Sequence, residues 1–509
     1  METLKKSWNY LNKHYFIVLL IFSSCWFGPL LQDGFIMGDC TRLLNTFKYA
    51  DNPLLLAFSD IGVCRPVFFC VIVFLYRIFG HSYAAFWWTS VFLSAFTGYI
   101  LYKRINKRVG GYAYGIVASV IYTVAIYSYY GITQVYGIME QMCLLFVILF
   151  YDSMIDFVEK EDGYNFVCSV VYYGLALFTH ERFLVLFGVF FLQISFFSFS
   201  KKYLKKIIYI CCASIPLVLF VFFKKVVFNT PIFRGTAQQS IHISLTQILS
   251  YTIQTILSMF GFNYGPPHLF GNYNFSYYSN LCKLMTICSL IFVLGFILLF
   301  VYTNIIKNPK RIFEIKQLAL FIFLEGGTIL CFCISERIEM RQIYAPYVIL
   351  IMYMLFCLGK INQMRFYKIV ATLFVTITIV VNSLNYQHYL GDLYFMRVMS
   401  YSKSFYNLVM SQGEYRLKNK KIYVFDQVDL VWGINANETY NICDLFWDNS
   451  DVETIVWQNV DEIISEISVD LDNGVEVIVV YPETVTELGK YVLESEKMLE
   501  GLYDIPIFR

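Results

Sequence analysis

Charged residues are scarce in this chain of 509 residues. They make up 15% of the sequence, whereas about a quarter is usual for soluble domains, and 58% of the residues are hydrophobic. This composition argues against an ordinary soluble enzyme and predicts an integral membrane protein. The formal net charge is only +2 and no long basic tract occurs, so nothing in the sequence favours a nucleic-acid partner.

The motifs of several common enzyme classes are also missing. The sequence has no P-loop, GxGxxG fingerprint, HExxH zinc motif or GxSxG nucleophile elbow. Its 14 cysteines include no CxxC pair with metal-ligand spacing, and many of them lie in apolar runs as small hydrophobic residues. We therefore expect no bound cofactor. The sequence does not indicate a divalent metal, although it leaves one open. A disulfide between Cys40 and Cys64 stays open if their segment is extracytoplasmic.

The chain is rich in long apolar segments. A helix needs about 20 residues to cross the hydrocarbon core, and roughly eleven segments qualify. They are residues 16–31, 83–102, 112–131, 134–151, 164–179, 183–199, 207–223, 284–303, 317–334, 343–358 and 367–383. Residues 66–79 are apolar but short, which predicts a helix lying at the membrane interface. The first segment lacks a small-residue cleavage site, so we expect an uncleaved helix.

Basic clusters alternate with the predicted spans and indicate their orientation. The clusters occur at Lys5 to Lys13, from Lys103, from Lys201, from Lys307 and from Lys360 to Lys368. All of them fall on one side, which the positive-inside rule identifies as the cytoplasm, together with the N-terminus. Lys224 and Lys225 are an exception, because they fall on the opposite side. The bias towards Ile, Phe, Tyr, Lys and Asn fits an AT-rich bacterium, so we expect a bacterial plasma membrane.

The last hundred residues have a different character. Between Glu414 and Arg509 there are 20 acidic and 7 basic residues. The segments "KKIYVF" and "VEVIVVYP" favour strands, and "NVDEIISEIS" and "ETVTELGKYVLESEKML" favour amphipathic helices. The sequence thus predicts an α-helical polytopic membrane protein with about 11 transmembrane helices over residues 1–385. A small extracytoplasmic α/β domain is predicted over residues 386–509.

Two carboxylates follow the first helix directly. Asp33 and Asp39 lie in the first outer loop, and a carboxylate fixed at a helix end can take a proton from a hydroxyl group. From spacing alone, helix capping or solvation is the more frequent role of such acids. Glu140 lies just inside the outer end of a predicted span, where an ionisable group is costly and tends to face a polar cavity. A snorkelling interfacial acid is the alternative interpretation.

The predicted outer turns also carry basic residues. Arginine is suited to bidentate contacts with phosphate, although each arginine alone is more often an interfacial anchor. Together with an acidic first loop, these turns could hold a lipid phosphate and leave a carboxylate beside its attached group. The candidate binding residues are Arg65, Glu140, His180, Glu181, Arg182, Arg337 and Arg341.

Three short motifs follow one another with characteristic spacing. "FIMGDC" ends with Asp39 and Cys40, "CRPVFF" begins at Cys64 and leads through an "FG" into a span ending in "ILY", and "THE" ends at Glu181. In their order and spacing, residues 15–200 resemble the GT-C superfamily of membrane glycosyltransferases. The strongest resemblance is to transmembrane O-mannosyltransferases bearing tetratricopeptide repeats and to bacterial relatives that use polyprenyl-phosphate sugars. A looser match occurs at "RIEMRQIYAP".

The resemblance implies transfer of a sugar from a polyprenyl- or dolichyl-phosphate donor to a glycan or protein hydroxyl. The reaction would occur on the extracytoplasmic face with inversion, with Asp39 as base and without a required metal. The match is incomplete. Gly38 replaces the first acid of the family's acidic pair, which makes Asp33 a second candidate. His180 stands where the family has lysine, and Tyr130 where it has glutamate.

Two other functions stay open from the sequence. A transporter or flippase of lipid-linked oligosaccharide would line a conduit with its acids, but such proteins often contain paired half-repeats, and none is recognisable here. A polysaccharide polymerase shares the donor chemistry and usually has a large late outer loop. The aromatic loop over residues 226–283 keeps that function open.

Overall fold

The computed structural model describes most of the helical region and parts of the C-terminal region. The described residues are 2–31, 38–48, 64–110, 112–197, 203–227, 244–262, 279–302, 312–333, 340–361, 420–426, 452–456, 460–482 and 491–495, with single positions at 229, 232, 306, 338, 377 and 380. Side chains are described for most of these positions, and the statements below concern those alone.

Helices dominate the described part of the chain. They are α1 (Glu2–Phe27), α2 (Gly38–Lys48), α3 (Pro66–Phe79), α4 (Tyr83–Val109), α5 (Tyr112–Val124), α6 (Ser128–Thr133), α7 (Gly137–Lys160), α8 (Gly163–Thr179), α9 (Val185–Phe197), α10 (Tyr203–Phe222), α11 (Leu245–Met259), α12 (Asn280–Val301), α13 (Ile312–Cys333), α14 (Met340–Ile361) and α15 (Val460–Asp472). Short 3-10 helices cover Gly28–Leu30 and Glu181–Leu184, and a π-helical turn covers Phe223–Val227.

Five of the described helical segments are long and apolar enough to cross a membrane. They are Asn12–Leu30, Tyr83–Val109, Gly137–Lys160, Tyr203–Val227 and Arg341–Gly359. Shorter apolar helices include α3, α5 and α8. The chain is therefore a helical protein, and several of its helices have the length and apolar composition of membrane-spanning helices. The number of about eleven spans stays a prediction, and the last predicted span, residues 367–383, lies outside the described residues apart from two single positions.

Local sequence signals set several helix boundaries. Pro66 occupies the first turn of α3, where its missing N–H needs no partner. Gly110 ends α4 with φ of 73°, a left-handed conformation that suits glycine. Asp162 caps α8 by accepting a hydrogen bond from the Asn165 backbone N–H at 2.7 Å.

Helix α7 lies at the centre of the bundle. Nearly all of its residues from Gly137 to Val158 are buried, and α4, α8, α13 and α14 pack around it. Aromatic contacts join the surrounding helices: Phe321 of α13 stacks on Tyr353 of α14 with ring centroids 4.1 Å apart. A helix that is enclosed by other helices and apolar between its charged ends is typical of a bundle core.

The two ends of α7 carry different charged groups. Near its C-terminal end, Asp152 binds Arg104 at 2.9 Å and Arg108 at 2.8 Å, and Asp156 binds Lys107 at 2.7 Å. We call this the Asp152 end of the bundle, and the opposite one the Glu140 end. The basic cluster that begins at Lys103 therefore lies at the end opposite Glu140, as the charge pattern predicts. Which end faces the cytoplasm stays a prediction.

The predicted span over residues 112–131 is wrong as a single helix. Helix α5 ends at Val124, a turn follows, and α6 covers only six residues before another turn leads into α7. Almost every residue from 125 to 136 is buried. Irregular backbone of this kind is tolerated in a membrane protein only where protein or a polar cavity surrounds it. The predicted short outer loop at Gln134 is therefore part of the protein interior.

The C-terminal residues contain a four-stranded sheet. Its strands are β1 (Lys421–Asp426), β2 (Val452–Val456), β3 (Val477–Pro482) and β4 (Tyr491–Ser495), in the order β2-β1-β3-β4. Strand β1 is parallel to β2 and β3, and β4 is antiparallel to β3. The predicted strands at β1 and β3 and the helix at α15 are thus present. A separate domain beginning at residue 386 stays a prediction.

One C-terminal segment was predicted as a helix but contains a strand. The segment "ETVTELGKYVLESEKML" has a helical pattern, but its residues Tyr491–Ser495 form β4. Val492 pairs with Tyr481 and Leu493 with Val480, so pairing with the edge of β3 outweighs the local helical preference. Gly489 also interrupts the helical pattern immediately before the strand.

Candidate functional site

Charged side chains from four separate parts of the chain meet at the Glu140 end. Arg65 precedes α3, Glu140 lies in the first turn of α7, Glu181 and Arg182 lie in the turn between α8 and α9, and Arg341 begins α14. Ion pairs and short contacts join them. We call these five residues the arginine cluster. Their side chains are only 4% to 17% exposed, so the charges lie within the protein.

The first ion pair of the cluster joins Arg65 and Glu181. The Arg65 Nε donates to Glu181 Oε2 and Nη2 donates to Oε1, both at 2.7 Å. This parallel two-bond geometry is the strongest arrangement available to a guanidinium and a carboxylate. It ties the start of α3 to the turn that follows α8, although the two residues lie 116 positions apart.

A second group of contacts centres on Glu140. Arg182 donates to both Glu140 oxygens, and the Arg341 Nε lies 4.0 Å from Glu140 Oε1. Arg341 Nη1 also donates to the Tyr130 hydroxyl at 2.6 Å, and its guanidinium carbon lies 4.9 Å from the Tyr130 ring centroid. Tyr130, which stands where the resembled glycosyltransferases have glutamate, therefore contacts the cluster. Glu140 is an interior ion-pair partner and does not snorkel.

His180 lies beside both ion pairs in a neutral form. Its Nδ1 accepts a hydrogen bond from the Arg182 backbone N–H at 3.3 Å and lies 3.5 Å from Glu181 Oε2. Burial, with the charges of Arg65, Arg182 and Arg341, holds the pKa of His180 well below its usual range despite the opposing charge of Glu181. Burial alone would raise the pKa of Glu181, but the charge of Arg65 and its hydrogen bonds outweigh burial, and the pKa is lowered.

The described cluster has an excess of positive charge. Three guanidinium groups face two carboxylates within the described residues. Each guanidinium has five N–H donors; the hydrogen bonds above involve two donors of Arg65, two of Arg182 and one of Arg341. An anionic group could therefore accept hydrogen bonds there while the carboxylates hold the arginines in place. Pre-placed donors of this kind suit the binding of a phosphate.

The structure places the backbone of Asp39 next to this region. Asp39 is the second residue of α2, and its neighbour Cys40 contacts Gln134 Oε1 through Sγ at 3.2 Å. Cys40 Sγ also accepts from the Val135 backbone N–H at 3.2 Å. Gln134 and Val135 belong to the buried segment that leads to Glu140. The side chain of Asp39 lies outside the described residues, so its part in the site stays a prediction.

Other candidates stand differently. Asp33 and Arg337 lie outside the described residues, as does about half of the predicted aromatic loop over residues 226–283. The described part of that segment includes α11 (Leu245–Met259), so the prediction of one continuous loop is wrong. The open alternative of a Cys40–Cys64 disulfide is not found, because both are buried free thiols. Among the residues that the structure describes, no three His, Cys, Asp or Glu side chains gather as metal ligands, and the metal-free reaction stays an expectation.

Lys224 is a neighbour of the site that the sequence reasoning did not select. Its side chain is fully buried within the π-helical turn Phe223–Val227. The only sequence signal was its position, since Lys224 and Lys225 violate the charge pattern between the spans.

Comparison with known proteins gives little support for an assignment. No family model matches the chain, and no curated protein matches it. Among solved structures, the archaeal oligosaccharyltransferase AglB from Archaeoglobus fulgidus, solved in complex with an inhibitory peptide and a dolichol-phosphate, is similar with a TM-score of 0.44 and 10% identity. The alignment covers 98% of this chain and 75% of that one.

Proposed function

We propose that this chain is an integral-membrane inverting glycosyltransferase. It moves a sugar from a polyprenyl-phosphate donor to a hydroxyl group of a glycan or protein on the extracytoplasmic face. The observation that carries the proposal is the arginine cluster: buried cations from separate helix ends meet beside the helix that bears Asp39. The motif order over residues 15–200 supports the same chemistry.

In the proposed reaction the acceptor oxygen attacks the anomeric carbon of the sugar. The bond between that carbon and the phosphate oxygen breaks, and the polyprenyl phosphate leaves with the electron pair. The acceptor proton passes to the Asp39 carboxylate, which must lie within hydrogen-bond reach of the hydroxyl. Attack from the side opposite the leaving group inverts the anomeric configuration.

The arginine cluster supplies electrostatic stabilisation in this reaction. Negative charge builds up on the leaving phosphate as the bond breaks, so donors fixed beside it bind the transition state better than the ground state. Arg182 and Arg341 are the proposed phosphate ligands, and Glu140 fixes both of them. Arg65, His180 and Glu181 form the adjacent wall. In this proposal His180 stays neutral and can donate a hydrogen bond through Nε2.

The direct test is consumption of a lipid-linked donor by the purified protein. Proteoliposomes are given a panel of polyprenyl-phosphate sugars, and released polyprenyl phosphate is measured for wild type, Asp39→Asn and Arg341→Gln. We expect Asp39→Asn to lose at least about 100-fold in turnover, the usual contribution of a general base. Arg341→Gln should lose about as much, since one oxyanion donor is worth about 100-fold to 1000-fold.

Arg104→Gln is the control for the loss of an ion-pair partner of a buried carboxylate. Arg104 also binds a carboxylate, Asp152, but at the other end of α7. We expect its turnover to stay close to that of wild type. Unchanged turnover in Asp39→Asn would remove Asp39 as the base, and an equal loss in Arg104→Gln would mean that the variants act through stability.

The same proteoliposomes separate the transferase from a transporter or flippase. A flippase moves the lipid-linked sugar between leaflets and releases no polyprenyl phosphate. Sugar that becomes accessible on the other side, with no donor consumed for any sugar of the panel, would contradict the proposal.

A further inference from the structure

A fully buried lysine lies at the end of α10. Lys224 has no exposed surface, and its Nζ lies 5.9 Å from the ring centroid of Phe220. It sits in the π-helical turn that continues α10, and Pro216 lies inside the helix two turns earlier. Single π-helical turns change which face of a helix the following side chains occupy, and they are frequent at functional sites.

Packing places this turn against the end of α8, which leads into the arginine cluster. Phe220 and Phe223 both contact Phe178, with ring centroids 6.2 Å apart in each case. Phe178 belongs to the last turn of α8, two residues before His180. The end of α10 therefore packs on the last turn of α8, directly before the turn that carries His180 and Glu181.

The surroundings of Cys64 give a second connection. Cys64 is buried and directly precedes Arg65. Burial raises the pKa of the Cys64 thiol to about 11; the charge of Lys224 opposes this change and the charge of Glu181 adds to it. Lys224 and Glu181 thus both lie within electrostatic range of one sulfur atom beside Arg65.

A buried ammonium group is costly unless polar or anionic groups surround it. An ammonium group inside a membrane protein usually faces a polar cavity or marks the path of a substrate. The lysine is also a compact charge with three donors, which suits a single phosphate oxygen, whereas arginine suits a bidentate contact.

We propose that Lys224 is a further binding residue for the phosphate of the lipid-linked donor, on the Arg65 side of the cluster. This proposal rests on the proposed function. Arg182 and Arg341 then contact the phosphate from the Glu140 side, and Lys224 contacts it from the opposite side. The leaving polyprenyl phosphate carries more negative charge than the donor, so Lys224 retains it until it is released into the membrane.

Equilibrium binding of two lipids tests the role of Lys224. Binding of polyprenyl phosphate and of the uncharged polyprenol is measured by calorimetry on protein in nanodiscs. We expect Lys224→Gln to bind polyprenyl phosphate about 10-fold to 100-fold more weakly, as for loss of one hydrogen bond to a charged group. Its affinity for polyprenol should not change. Lys224→Arg, which keeps the charge, should retain most of the affinity for the phosphate.

Lys225→Gln is the control, because Lys225 is the next residue of the same turn and its side chain is exposed. It should bind both lipids as wild type does. Equal binding of polyprenyl phosphate by Lys224→Gln and wild type overturns the proposal, and so does an equal loss for both lipids, which would indicate a structural role. If Lys224→Gln does not fold, Lys224→Met replaces it, and failure of that variant to fold also assigns a structural role.

The two proposals fail in different ways. Wild-type protein that binds polyprenyl phosphate but consumes no sugar donor contradicts the glycosyltransferase and leaves the Lys224 site intact. Wild-type turnover with normal binding in Lys224→Gln removes Lys224 alone.

Discussion

At the scale of single residues, the site is a set of buried charges that hold one another in place. Arg65 and Glu181 are joined by two hydrogen bonds of 2.7 Å, and Glu140 is joined to Arg182. Removing one partner of such a pair leaves an uncompensated charge and costs about 3–5 kcal/mol. Substitutions within the cluster therefore change stability as well as activity, and a test of function needs controls with the same loss of an ion pair.

His180 predicts a dependence of stability on pH. Its pKa in the folded protein lies well below the value of about 6.5 in an unfolded chain, chiefly because it is buried and secondly because Arg65 is close. Between these two values the unfolded state binds a proton that the folded state does not. The free energy of unfolding should therefore fall as the pH drops below about 6.5, by at most about 1.4 kcal/mol per pH unit.

The measurement is chemical unfolding in detergent between pH 7.5 and pH 5. His180→Gln should remove most of the dependence in this window. His81→Gln is the control. Partial burial lowers the pKa of His81 as well, but most of the contact with solvent remains, so His81 contributes little to the pH dependence of the free energy of unfolding. Glu181 does not contribute here, because a lowered carboxyl pKa acts only below about pH 4.5. An unchanged slope in His180→Gln would contradict the assignment.

The candidate residues could be chosen from the sequence, but their partners could not. Arg65, Glu181 and Arg341 stand out because charges are scarce in apolar surroundings. Their contacts connect positions up to 211 residues apart, as between Tyr130 and Arg341, and no local pattern encodes such a distance. Lys224 was not selected from the sequence for a similar reason. The direction of its side chain depends on a π-helical turn, and such a turn has no sequence signature.

At the scale of elements, the broken segment between α5 and α7 determines the geometry of the site. It brings Tyr130 to Arg341 and Gln134 to Cys40, and it delivers Glu140 into the first turn of α7. A continuous helix over residues 112–131 could not do this. Hydropathy predicted that continuous helix because tertiary packing, not residue type, ends α5 at Val124. Helices with strong end signals were predicted with better boundaries. An example is α3, which begins at Pro66.

Gly137 lets α6 approach α7 closely. A Cβ at this position would lie 2.4 Å from the Tyr130 carbonyl oxygen and 2.7 Å from Gly131 atoms, all of them backbone. Gly137→Ala should therefore separate the two helices and displace Tyr130 from Arg341. We expect a loss of about 1–3 kcal/mol in the free energy of unfolding, as for other overpacked sites, together with lower donor turnover.

Gly188→Ala provides the matched control within α9, since nothing lies within 4 Å of a Cβ there. Alanine at that position should be neutral or stabilising by up to about 1 kcal/mol, because glycine weakens a helix. Both variants are measured by thermal unfolding and by donor consumption. Gly137→Ala with unchanged turnover would show that the contact between α6 and α7 does not position the site.

At the scale of the whole molecule, charges separate towards the two ends of the bundle. The Asp152 end gathers Arg104, Lys107 and Arg108 with their acids, and the Glu140 end holds the arginine cluster. The sequence predicted this separation, because basic clusters recur after alternate spans. It could not give the number of spans, since short apolar helices such as α3 and α5 fall below the length of a membrane crossing.

The orientation of the bundle can be measured by cysteine labelling. The positive-inside rule predicts that the Asp152 end faces the cytoplasm. In intact bacterial cells, a membrane-impermeant maleimide should label Lys225→Cys, and Lys160→Cys should react only after permeabilisation. The Lys160 side chain is 58% exposed, so access does not limit its labelling. The parent protein gives the background of native cysteines, and the reverse pattern would invert the topology.

The short distance between the two charged ends of α7 has a consequence for the surrounding lipid. Glu140 and Asp152 are twelve positions apart, which at a rise of 1.5 Å per residue is about 18 Å. The hydrocarbon layer of a bilayer is about 30 Å thick, so the two sets of ion pairs cannot both reach headgroup depth. At least one set of ion pairs must therefore lie within the depth of the acyl chains. There, neighbouring helices and not the lipid headgroups separate the charges from the hydrocarbon.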